Sequence, residues 1–193
     1  TVLDRWMISR LNEANKEVVR WMDKYDITRS ARVLSDLVTD LSQWYIRRSR
    51  DRVGPTTVNT QDKNNFYKTL FEVLVTLCRL LTPFTPFISE EIYRNLTDEE
   101  SVHLTMWPAF VPLNGTSARQ ALLIKNMEMV RKVCELGHAK RKEAGVKVRQ
   151  PLQKIKVSRL NGIHDAVDAH SSQTASGQNP ALSVWEFHEL LVK

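Results

Sequence analysis

Between residues 4 and 144 apolar side chains return every three or four positions, and that period fits helices and excludes most sheet architectures. From Asp4 to about Lys24, Trp6, Met7, Leu11, Ala14, Val18, Trp21 and Met22 fall on one stripe, with Asp4 as the expected N-cap. After the turn Tyr25-Asp26-Ile27, Thr28 is positioned to cap a second helix carrying Ala31, Leu34, Val38, Leu41, Trp44 and Tyr45 inward, to about Asp51. A non-periodic stretch at 53–61 precedes a third helix from about Asp62 to Leu81, on which Phe66, Leu70, Leu74, Leu77 and Leu81 align. Thr85 followed by Pro86 is a cap and first-turn pair for a short fourth helix to about Leu96. Ser101 to Pro108 reads as an extended loop, and a fifth helix runs from about Thr116 to Ala144, closed by Gly145 in the left-handed conformation.

Long amphipathic helices joined mostly by short connections form an antiparallel bundle, so residues 1–150 are expected to be one helical domain. Past Pro151 the pattern changes. Leu152, Ile155 and Val157 alternate with lysines like a short strand, 158–181 is polar and loop-like, and Ser183 with Glu186 forms a capping box for a last helix. The expected fold class is therefore mainly α, with a small C-terminal α+β appendage at 151–193 that the chain end truncates.

Several function classes lack their signatures. The sequence has no Gly-rich phosphate loop, no His-Glu-x-x-His and no nucleophile elbow, so no catalytic residue is assigned. Cys78 and Cys134 each sit within helical periodicity, which reads as core filling and not as a redox or zinc pair. His164, Asp165, Asp168 and His170 cluster in a polar stretch that reads as solvated loop, so no metal or cofactor is expected in this chain. No apolar run approaches the roughly 18 residues that span a bilayer, and the N-terminus does not resemble a signal peptide; a cytoplasmic, monomeric chain without a membrane partner is expected.

The net charge of +6 permits a polyanionic partner, and its distribution is more informative than its total. Arg47, Arg48, Arg50 and Arg52 fall within six residues, and Lys140, Arg141, Lys142, Lys147 and Arg149 form a second group. Four arginines so close together repel one another unless carboxylates or phosphates offset them, and Asp51 offsets one.

Three stretches carry a resemblance. Leu3-Asp4-Arg5-Trp6-Met7-Ile8-Ser9-Arg10-Leu11 is similar to a "DRWILSRL" motif. Leu41-Ser42-Gln43-Trp44-Tyr45-Ile46-Arg47-Arg48-Ser49-Arg50-Asp51-Arg52 follows, and then Leu81-Thr82-Pro83-Phe84-Thr85-Pro86-Phe87-Ile88-Ser89-Glu90-Glu91-Ile92-Tyr93 with Ser101-Val102-His103-Leu104-Thr105-Met106-Trp107-Pro108. In this order they resemble the post-catalytic region of the tRNA ligases for isoleucine, valine and leucine. The "WYIRRSR" run, the "SVHLTMWP" run and Gly145-Val146-Lys147-Val148-Arg149-Gln150-Pro151-Leu152 favour isoleucine over valine. The resemblance implies an anticodon-binding bundle whose partners are the anticodon stem-loop of a tRNA and the catalytic domain of the same polypeptide. The family's "HIGH" and "KMSKS" signatures are absent here, so ATP and magnesium would belong to that catalytic part, and this chain alone would bind tRNA without activating an amino acid.

By the same resemblance the start of the first helix and the end of the second lie together at the anticodon. That places Trp6, Ser9 and Arg10 opposite Trp44, Arg47, Arg48, Arg50 and Arg52, with Lys140, Arg141, Lys147 and Arg149 as a further basic group. Trp6 and Arg10 are four apart and share a helix face, a stacking plane beside a guanidinium. Trp6 serves equally as a core side chain, Trp44 and Tyr45 fit the core better with only a ring edge reaching the surface, and some arginines could dock on the catalytic domain. Two alternatives stay open: the valine enzyme's bundle, and a stand-alone helical module whose basic face binds an acidic protein.

Overall fold

The computed structural model describes residues 1–55, 58–113 and 116–151, and among these it is helical with no strand. The strand expected at 152–157, the polar loop with its His164 and His170, and the helix from Ser183 lie outside the described residues. Among the described residues six α-helices occur: α1 (Val2–Met22), α2 (Ile27–Thr39), α3 (Arg50–Val53), α4 (Thr60–Leu81), α5 (Pro86–Leu96) and α6 (Ser117–Glu143). A π-helix, Asp40–Ile46, continues α2, and a short 3-10 turn, Val102–Leu104, follows α5. The chain divides into two compact units, Thr1–Ile124 and Lys125–Lys193, and α6 runs across the division.

Helix α1 starts earlier than its sequence suggests. Thr1 is the cap, its hydroxyl accepting the Asp4 N–H, so Asp4 sits in the first turn and its carboxylate is available for other work. Trp6, Met7, Leu11, Ala14 and Val18 are essentially fully buried, as the stripe requires. Helix α2 is capped by Asp26 and not by Thr28, through a 2.9 Å bond from the Arg29 N–H to the Asp26 carboxylate.

The second helix is not uniform. Its buried positions are Ser30, Leu34, Leu37, Asp40, Leu41, Tyr45 and Ser49. Three consecutive four-residue steps, from Leu37 to Ser49, would drift around a regular α-helix of about 3.6 residues per turn. Widening to i→i+5 hydrogen bonds at Asp40–Ile46 absorbs the drift and keeps Leu41, Tyr45 and Ser49 facing inward. Arg47 and Arg50 are thereby left outside.

The pairing of elements follows from specific bonds. Asp4 near the start of α1 meets Tyr45 and Arg52 beyond the end of α2, so the two helices run antiparallel. Arg52 also meets Asp62 in the first turn of α4, which therefore runs antiparallel to α2. Helix α5 begins at Pro86 after Thr85 as expected, although the Thr85 hydroxyl makes no cap bond and faces the Leu81 carbonyl instead. Cys78, Tyr93 and Val102 form a small buried cluster where α4, α5 and the 3-10 turn meet, and burial pushes the Cys78 thiol upward from its ordinary pKa. Glu90 accepts from the Ser101 hydroxyl and the Val102 N–H, both at 2.9 Å, tying that turn to α5.

Two asparagines on α1 hold the following segment. Asn12 exchanges two 2.9 Å bonds with the backbone of Val111, as a neighbouring strand would. Asn15, buried, donates to the Pro108 carbonyl and accepts from the Trp107 indole N–H, also at 2.9 Å. An aliphatic side chain at Asn15 would strand both groups. Asn15→Leu is expected to lower stability by about 2 kcal/mol in a denaturant titration, since buried polar groups left unpaired each lose their desolvation energy without return. An unchanged midpoint would show that water replaces the asparagine.

Candidate nucleic-acid interface

The basic cluster at the end of the second helix divides into two kinds of arginine. Arg52 is 14% exposed and lies between two carboxylates. Its two terminal nitrogens donate to the Asp4 carboxylate at 2.8 and 2.9 Å, while its Nε and one terminal nitrogen donate to the Asp62 carboxylate, both at 2.8 Å. The Tyr45 hydroxyl donates to Asp4 at 2.8 Å, and its ring stacks on Phe66 with centroids 5.4 Å apart. Arg52 also sits 5.7 Å from the Phe66 centroid.

The electrostatics of this group are those of a structural clamp. Burial alone would raise the Asp4 carboxyl, but the hydrogen bonds from Arg52, Thr1 and Tyr45 outweigh it and hold the group well below the usual carboxylate range. Burial and the neighbouring Asp4 charge push the Tyr45 phenol upward. Asp62 is lowered by its hydrogen bond to Arg52. The fixed fork of the guanidinium makes two bidentate contacts at once, which a lysine could not reproduce.

Arg47 and Arg50 are exposed and enter no salt bridge among the described residues. Arg48 is half-buried with its guanidinium 5.5 Å from the Trp44 ring centroid, and Trp44 is itself half-buried. Cationic charge on a partly exposed indole is a surface that phosphates and unpaired bases both recognise.

The residues expected at the start of α1 are placed differently. Trp6 is 1% exposed, so its ring is enclosed by the bundle and serves packing, with no face open to a base. Ser9 is buried and its hydroxyl donates to the Arg5 carbonyl at 2.8 Å. Arg10 is 17% exposed; its Nε donates to the buried Asp40 at 3.0 Å, and it also pairs with Glu13. The helical spacing that put Trp6 and Arg10 on one face is correct, but on that face Trp6 is enclosed and Arg10, partly exposed, is paired with Asp40 and Glu13.

The second basic group, near the end of α6, is likewise divided. Lys140 pairs with Glu143 at 2.7 Å. The Arg141 guanidinium donates to the carbonyls of Lys147, Val148 and Gln150 at 3.1, 3.2 and 2.8 Å, tying down the backbone beyond the helix. Gly145 adopts φ +65, the left-handed closure that its position called for. Lys147 and Arg149 are exposed.

The described residues thus carry an external arginine pair and no group of side chains that could hold a metal ion. A family profile described as the anticodon-binding domain of tRNA ligase matches residues 4–156. The chain belongs to this family. Among curated proteins, the anticodon-binding domain is similar to the isoleucine–tRNA ligase of Clostridium acetobutylicum, 41% identical over 163 residues. That of Dehalococcoides mccartyi is 42% identical over 161 residues, and that of Bacillus thuringiensis (strain Al Hakam) 42% over 155. These alignments cover 80 to 81% of this chain and 14 to 15% of each relative. The chain therefore spans about one seventh of the length of the relatives it matches. Apart from Leu3, the three motif stretches lie inside residues 4–156, as do the clamp and the arginine pair.

Sequence reasoning missed the carboxylates. Asp4, Asp40 and Asp62 decide which arginines are committed to the fold, and each lies far in sequence from its arginine: 48, 30 and 10 residues. No local pattern announces such pairs.

Proposed function

We propose that this anticodon-binding domain recognises the anticodon stem-loop of an isoleucine tRNA, one RNA per monomer, as part of a cytoplasmic isoleucine–tRNA ligase. The parent reaction, ATP- and magnesium-dependent attachment of isoleucine to its tRNA, belongs to the rest of that polypeptide. The observation that carries the reading is the uncommitted pair Arg47 and Arg50, turned outward by the π-helix beside the Trp44–Arg48 stack, within a family whose description names the anticodon. Lys147 and Arg149, exposed in the second unit, act as separate phosphate contacts. Arg10, Trp6, Ser9 and Arg52 act behind it, holding the helices that present it.

Phosphate contacts release counterions, which gives the test its readout. Replacing Arg47 and Arg50 together by alanine is expected to weaken binding of an isoleucine tRNA transcript and to reduce the slope of log K against log salt by about 1 to 2. Melting behaviour should be unchanged, because neither side chain is buried. An unaltered salt slope would remove both arginines from the interface.

A further inference from the structure

Far from the arginine cluster, at the other end of the α1–α2 hairpin and about 20 residues or roughly 30 Å of helix away, the turn carries a second aromatic and cationic surface. Helix α1 closes with two hydrogen bonds, Tyr25 N–H to the Met22 carbonyl and Asp26 N–H to the Trp21 carbonyl, both 2.9 Å. In this closure one residue must adopt the left-handed conformation, and glycine is its usual occupant because a Cβ is disfavoured there. Here the residue is Tyr25, at φ +57.

The same chain supplies a comparison. Helix α6 closes with Gly145 N–H to Lys142 and Val146 N–H to Arg141, and the left-handed residue is Gly145 at φ +65. Tyr25 has no packing that would compensate its backbone, since it is 92% exposed. A strained backbone holding a large ring in solvent is a local rule broken without structural return, which is the mark of a contact site.

The surroundings are suited to one kind of partner. The Arg29 guanidinium, the Lys24 ammonium and the Arg20 guanidinium lie 4.5, 5.1 and 5.2 Å from the centroid of the half-buried Trp21 ring. Arg32 is exposed nearby in sequence, and so is Ile27. Of the two carboxylates in the turn, Asp26 caps α2 and pairs with Arg29 at 3.2 Å, and Asp23 is exposed. The turn and the helix ends that flank it thus carry four cations and two carboxylates.

We propose that the α1–α2 turn is a second RNA contact, in which Tyr25 stacks on an unpaired base and Arg20 and Lys24, steadied on Trp21, bind the adjoining phosphates. The inference rests on the RNA-binding reading and extends it to a surface remote from Arg47 and Arg50. Exposed aromatics with neighbouring cations match single-stranded RNA, whose bases offer a face that a duplex keeps stacked.

The test uses the whole chain with two labelled probes: an isoleucine tRNA anticodon stem-loop and a blunt RNA duplex with the same number of phosphates. Tyr25→Ala is expected to weaken stem-loop binding by about fivefold or more while leaving duplex binding alone, and Tyr25→Phe to retain affinity. Tyr25→Gly is expected to weaken the stem-loop equally while raising the melting temperature, since it removes the ring and the strain together. Stem-loop affinity unchanged in Tyr25→Ala, or lowered equally for both probes, would overturn the inference. If the unaltered chain binds neither RNA, the anticodon reading falls as well; if it binds the stem-loop and Tyr25→Ala has no effect, this inference alone falls.

Discussion

Arg52→Leu is expected to lower the unfolding free energy by about 3 to 5 kcal/mol, the range seen when one member of a buried ion pair is removed and its partner stays behind. Two carboxylates would lose their bidentate partner, and Asp4, 6% exposed, would keep only the Thr1 amine and hydroxyl and the Tyr45 hydroxyl. Arg52→Lys should recover little of the loss, because one ammonium cannot face both carboxylates in the fork geometry. Denaturant titration of the three proteins measures this, and a loss under about 1 kcal/mol would place the clamp among ordinary surface pairs.

The same group sets the pH response. The folded Asp4 value lies below its unfolded value of about 3.9, so its stabilisation is complete above that pH and is lost as pH falls through the folded value. Asp62 contributes in the same direction. The Tyr45 phenol is raised above its unfolded value of about 10, so its contribution is present below that pH and is lost as pH rises through the folded value. Stability should therefore fall at both extremes, and the acid limb should be shallower in Arg52→Leu.

Arg10→Ala is expected to destabilise the domain by about 2 to 3 kcal/mol, because it leaves Asp40 buried without its Nε donor. Its effect on RNA affinity then has to be separated from its effect on folding. The double substitution Arg10→Met with Asp40→Leu replaces the pair by apolar side chains and should regain much of the stability. If RNA affinity returns with it, Arg10 acts through the fold; if the double variant is stable and still binds weakly, Arg10 touches the RNA directly. The first outcome is expected.

The helices were legible in the sequence because their stripes are long and regular. The bounds of α5 and the left-handed Gly145 follow from Thr85-Pro86 and from a glycine after a basic helix end, signals with a local physical cause. The two N-caps were misassigned because Thr1 and Asp4, or Asp26 and Thr28, are all competent caps, and the local sequence does not select between them. The π-helix left one trace, the run of four-residue steps from Leu37 through Leu41 and Tyr45 to Ser49, which is visible only once Ser49 is known to be buried.

The candidate surface was half legible. Charge density pointed to Arg47, Arg48, Arg50 and Arg52 as a group, but density does not tell an arginine that binds from one that holds the fold. That distinction depends on carboxylates brought in from α1 and α4, a tertiary property. The Trp6 and Arg10 spacing was right in its geometry, while the direction of the face was fixed by packing against the second helix. Tyr25 carried a signal of its own, a tyrosine where a helix closure favours glycine, but it can be read only when the register of that closure is known.

The most direct measurement is equilibrium binding of the whole chain to two transcripts of one isoleucine tRNA, differing only in the anticodon, at two salt concentrations. The expected result is tighter binding to the unaltered transcript by about 10-fold or more, roughly the 1 to 3 kcal/mol that a lost base contact removes, with both affinities falling as salt rises. Equal affinity for the two transcripts, or binding that salt does not weaken, would contradict anticodon recognition by this domain.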